Sequence, residues 1–131
     1  MSRWKFGSFE AEVDFTDADF LDRLSDAKIA LDVKLKAVPK VGKSGDIVRA
    51  QCDCFYTFFN VLFYDGAGEE IFEGRHSLKL CIEAAESIRA YETAEKQHIE
   101  QSYGKYQVQS HGNREQRRQQ QKQYNKHNYR K

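Results

Sequence analysis

The run from Asp46 to Tyr64 limits what this chain can fold into more than any other stretch. At 100° per residue, Asp46, Arg49, Asp53, Thr57 and Asn60 fall on one narrow stripe. Almost every other position is apolar, including Ile47, Val48, Cys54, Phe55, Phe58, Phe59, Leu62 and Phe63. A helix with so thin a polar stripe must be covered on most sides. A buried strand is the rival reading, because the run is rich in Phe, but its length and regular stripe favour a helix. Ser44 is the expected N-cap, and Asp65-Gly66 the stop. Gln51 lies on the apolar side, so it needs a hydrogen-bond partner or faces another molecule.

The flanking segments supply the cover. Trp4 and Phe6 alternate with Lys5, Gly7-Ser8 signals a turn, and Phe9, Ala11, Val13 and Phe15 alternate with acids. This predicts a small hairpin over Arg3–Asp14, marginal alone and therefore packed on helices. Thr16 is the expected cap of a first helix, whose core row is Phe20, Leu24, Ala27, Leu31, Leu35 and Val38. Ile29 and Val33 lie on its opposite side, as scattered surface residues or as part of a partner-binding face. Pro39 ends that helix and opens a basic loop.

Gly66 to Gly74 has spaced glycines but no phosphate-loop lysine, and its three glutamates would repel phosphate. A short helical turn carrying Ile71 and Phe72 into the core is the better reading. A third helix is expected over Arg75–Tyr103, capped by Ser77, with Leu78, Cys81, Ile82, Ala85, Ile88 and Tyr91 on its apolar face.

Composition changes at Gly104. Residues 104–131 hold eight Lys or Arg and one acid, whereas the rest holds 13 and 19, so a basic, Gln-rich segment follows an acidic body. Without an apolar periodicity, residues 104–131 are expected to be a mobile tail, with Arg114 to Gln123 becoming helical on a partner. The expected fold class is mainly α: residues 1–103 form a three-helix domain with a small N-terminal β-hairpin, and 104–131 a disordered basic tail.

No catalytic arrangement has sequence support. Cys52 and Cys54 would point about 160° apart on a helix and cannot chelate one metal together. Cys81 reads as a core residue, and the four histidines are scattered. Three cysteines make no disulfide framework, and no apolar run approaches the roughly 20 residues of a membrane span. The expectation is a cytoplasmic protein that is not an enzyme, with no metal, no cofactor and no membrane.

The chain resembles the small tail assembly chaperones of long-tailed phages and prophages of Gram-positive bacteria. The resemblance is carried, in order, by the hairpin entering Asp17-Ala-Asp-Phe20, by Ile47-Val-Arg-Ala-Gln-Cys52, and by Phe58-Phe-Asn-Val-Leu-Phe63. It continues through Gly66-Ala-Gly68, Ile71-Phe-Glu-Gly74, Leu80-Cys-Ile-Glu-Ala84 and Asn113-Arg-Glu-Gln-Arg-Arg118. It implies a protein that coats the tape measure protein, keeps it soluble and recruits tail tube subunits. It also implies contacts with itself or with a longer, frameshifted form. Ile29 and Val33 are the candidate contacts for the tape measure protein. Arg114, Gln116, Arg117 and Arg118 are the candidates for a second, acidic partner such as a tail tube subunit. The alternatives are a nucleic-acid-binding protein acting through its basic tail, or another phage part such as a head–tail joining or tail-completion protein.

Overall fold

A computed structural model describes residues 2–110, with side chains as far as Tyr106. Its element order is β1 (Ser2–Phe6), β2 (Phe9–Val13), α1 (Ala18–Lys36), α2 (Ser44–Leu62), α3 (Ala67–Phe72) and α4 (Leu78–Ser110). The protein is mainly α with an N-terminal antiparallel hairpin, as its periodicities require.

The hairpin pairs Ser2 with Val13, Trp4 with Ala11 and Phe6 with Phe9. Its two-residue turn places Gly7 at φ 58°, where a residue without Cβ is unstrained. Alternation then puts Trp4, Phe9 and Val13 on one buried face. Trp4 is the centre of that face. Its ring stacks on Phe59 at 5.6 Å and on Phe63 at 5.9 Å, and meets Phe9 edge-on at 6.0 Å. Its indole N–H donates to Ser87 Oγ of α4 at 3.0 Å. The one polar atom of a large apolar side chain thereby keeps a partner inside the core.

The N-cap of α1 is Asp17 rather than the expected Thr16. Its carboxylate accepts from the Phe20 N–H at 2.9 Å, while Thr16 turns its amide and hydroxyl to Asp14. Both residue types can cap, and the competing Asp14 decides which one does. Only Phe20, Leu24 and Ala27 of the expected core row are buried. Leu31 and Val38 are half-buried and Leu35 is exposed. The row is apolar throughout, but the rest of the core covers only its N-terminal half. Ala37 caps the helix C-terminus, two residues before Pro39.

The central helix α2 begins at Ser44 itself. Lys43 precedes it, with no side-chain cap hydrogen bond. Its buried residues are Cys52, Cys54, Tyr56, Phe58, Phe59 and Leu62, while Phe55 is only half-buried. Gln51 is half-buried as well, so it keeps access to water. The polar stripe holds neighbouring elements as well as facing solvent. The Thr57 hydroxyl accepts from Lys34 Nζ of α1 at 2.9 Å. Asn60 Oδ1 accepts from the Gly68 N–H of α3 at 2.8 Å. Asp53 Oδ1 meets His76 Nε2 at 3.2 Å.

The expected helical turn is α3, which buries Ile71 and Phe72. Gly66 enters it at φ 95° and Glu73 leaves it at φ 54°. Ser77 stands just before α4, and its hydroxyl accepts from the Leu80 N–H at 3.4 Å. The core-facing residues of α4 are Cys81, Ala84 and Ile88. Tyr91 packs against the cluster, whereas Ile82, expected on the same face, is exposed.

The chain divides after Thr93 into two units, the first carrying the whole core cluster. The described part of the second is the C-terminal stretch of α4. That helix passes the expected limit at Tyr103 and continues through Gly104 to Ser110. An interior glycine costs about 1 kcal/mol relative to alanine, which flanks rich in Ala, Glu, Lys and Gln absorb. Gly104, where the composition changes, thus lies inside α4.

Candidate partner-binding surfaces

Ile29 and Val33 sit one turn apart on α1, 63% and 61% exposed. The opposite side of the same helix carries the buried Phe20, Leu24 and Ala27. Two β-branched apolar side chains thus form a short stripe that nothing in the first unit covers. Arg114, Gln116, Arg117 and Arg118 lie outside the described residues.

Other apolar side chains are exposed too, Leu35 among them where the wheel pattern predicted cover. Leu35 is 40% exposed and Val41, in the α1–α2 connection, 89%. Val41 is an exposed position that periodicity could not single out, because it lies in a loop. Its signal was its setting, an aliphatic residue between Lys40 and Lys43 immediately after Pro39. In the second unit Ile99, Tyr103 and Tyr106 are exposed along α4.

The same connection carries a glycine–lysine–serine spacing. Ala37-Val-Pro-Lys-Val-Gly-Lys-Ser44 matches the phosphate-loop pattern, with Ala37 in place of the first glycine. A phosphate loop joins a strand to a helix, whereas this segment joins α1 to α2, with Asp46 in the first turn. The helix–loop–helix context is therefore not that of a phosphate loop.

The three thiols are buried and free. Burial raises Cys52 and Cys54 above the ordinary thiol range. Burial, with the hydrogen-bonded Cys52 thiol beside it, pushes Cys81 up to about 12. Neutral thiols in an apolar core are inert packing groups rather than nucleophiles. Tyr56 is likewise pushed up to about 12 by burial, and its hydroxyl donates to the Arg75 carbonyl at 2.7 Å. Its ring stacks on His76 at 5.1 Å. Tyr56, like His76, serves to hold the segment after α3 against α2.

Among the described residues no group of three or more His, Cys, Asp or Glu could hold a metal ion. No helix among them is long and apolar enough to cross a membrane. The depression lined by Arg3, Ser8, Phe9, Glu10 and Glu70 is polar and open to solvent.

These features define a mainly α protein with a β-hairpin buttress and apolar residues turned outward on its helices. The chain belongs to the family of unknown function DUF6673, whose model matches residues 7–121. No match was found among curated proteins, and none among solved structures.

Proposed function

We propose that this protein is a tail assembly chaperone of a long-tailed phage or prophage, acting in the host cytoplasm. It binds the helical tape measure protein, keeps it soluble and recruits tail tube subunits. The observation that carries the reading is the outward stripe of Ile29 and Val33 on a helix whose other side is already committed to the core. A long helix with apolar surface needs a removable cover, and a short apolar stripe on a helix offers a helix-in-groove contact. Two side chains make a weak contact. Many such contacts along one tape measure chain would hold it together and still release it step by step as the tube grows. The motifs from Asp17 to Ala84 that resemble the chaperones support the same assignment.

The test is co-expression with the tape measure protein encoded beside it, followed by pull-down and a solubility assay. Ile29→Asp with Val33→Asp should weaken binding and leave the melting temperature close to wild type. Truncation after Ser110, which keeps α4 whole, should spare tape-measure binding and impair capture of the tube subunit. If the wild-type protein neither binds nor solubilises the tape measure protein, the assignment fails.

A further inference from the structure

The turn between α1 and α2 differs in charge from the remaining residues up to 106. Residues 28–49 carry six Lys or Arg and two Asp, while the remaining positions from 2 to 106 carry eight and seventeen acids. Within this basic segment the core row of α1 runs out of cover. Leu31 and Val38 are half-buried, and Leu35 and Val41 are exposed. Ile47, in the first turns of α2, is half-buried too. An apolar seam that is sealed at Phe20, Leu24 and Ala27 therefore opens at the far end of the same helix pair.

The cations around the opening fall into two groups. Lys36 is tied to Asp32 at 3.0 Å, Arg49 to Asp46 at 2.7 Å, and Lys34 to the Thr57 hydroxyl at 2.9 Å. The side chains of Lys40 and Lys43, on either side of Val41, have no hydrogen-bond or ion-pair partner among the described residues.

We propose that this turn is a docking site for an acidic amphipathic helix of another protein. The seam between two helices takes a third through an apolar stripe at i, i+3, i+4 and i+7. Lys40 and Lys43 then meet the acids flanking that stripe, their stems lying over apolar surface. The charge sign selects the partner, because a basic helix would be repelled by the same lysines. Nucleic acid would satisfy the cations but leave the apolar row in water, and residues 28–49 hold no aromatic side chain for base stacking. A bilayer would gain only Leu35 and Val41, far less than the apolar face of an interfacial helix. The site lies on the opposite side of α1 from Ile29 and Val33, and does not depend on the tape-measure assignment.

The test uses two fluorescent helical peptides of about 20 residues, one with a Leu stripe flanked by Glu, the other with Lys in place of Glu. Anisotropy against the full chain should show the Glu peptide binding at least about tenfold more tightly, and weakening as salt rises from about 0.05 to about 0.5 M. Lys40→Glu with Lys43→Glu should lose about tenfold or more in affinity for the Glu peptide. Leu35→Ser with Val41→Ser should weaken it as well. Ile29→Asp with Val33→Asp should leave it unchanged, and thermal melts establish that each variant is folded. The proposal is overturned if the two peptides bind alike, or if the lysine reversal changes nothing. It is also overturned if phosphatidylserine vesicles or duplex DNA capture the protein through Lys40 and Lys43 in preference to the Glu peptide. Sedimentation showing self-association that the lysine reversal abolishes would assign the site to a second copy instead.

Discussion

Replacing Gly68 by alanine tests the tightest packing at any described glycine. A Cβ on Gly68 would lie 2.8 Å from Tyr56 Cα and 2.9 Å from the Tyr56 carbonyl oxygen. Both are backbone atoms of α2, so no rotamer change can clear them. Two effects oppose each other. Alanine favours a helix over glycine by about 1 kcal/mol. Overpacking against a rigid neighbour costs roughly 1–3 kcal/mol, and moving α3 away stretches the 2.8 Å Asn60–Gly68 hydrogen bond, worth about 0.5–1.5 kcal/mol. The net expectation is destabilisation by about 1–3 kcal/mol, lowering the melting temperature by about 4–8 °C per kcal/mol for a domain of up to roughly 100 residues. Trp4 is the single tryptophan and lies in the core, so its fluorescence in a urea titration reports this transition directly. Gly104→Ala is the control. Nothing lies within 4 Å of its added Cβ, so it should raise the helical circular dichroism signal and leave the Trp4 midpoint unchanged. A Gly68→Ala midpoint at or above wild type would refute the close-packing argument.

Trp4→Ala should cost about 3–5 kcal/mol, and Trp4→Phe less, with Ser87 left without its indole donor; chemical denaturation followed by circular dichroism checks the order. The three cysteines should react slowly with an aromatic disulfide reagent in the native protein and all three promptly in denaturant, because burial holds their thiols neutral; a fast native equivalent would contradict the burial of that thiol. Asp14 is held below the ordinary aspartate value of 3.8 by its hydrogen bonds from Thr16. Its folded pKa being the lower one, its contribution is present above about pH 4 and is lost as pH falls through the folded value. Asp14→Asn should therefore flatten the acid limb of the stability profile, and an unchanged limb would place the acid sensitivity elsewhere.

Local chemistry determined the elements themselves. Alternation about Gly7 dictates the hairpin, the thin polar stripe dictates α2, and Pro39 limits α1, because each signal acts within a few residues along the chain. The tertiary structure decided which faces of those elements meet. Tyr56 is buried and Phe55 half-buried, though both are aromatic and one residue apart, because α3 closes over one side of α2 through Gly68 and Asn60. Leu35 continues the row of Leu24 with the same chemistry, yet it is exposed because the packed elements stop short of it. Periodicity located Ile29 and Val33 correctly as outward residues, since they oppose a long core row. It could not locate the opening at Leu35 and Val41, because where cover ends depends on the reach of segments distant in sequence. Asp17 rather than Thr16 caps α1 for a related reason. Both residue types can cap a helix, and the position of Asp14 in the folded chain, which takes the Thr16 amide, leaves Asp17 to accept the Phe20 N–H.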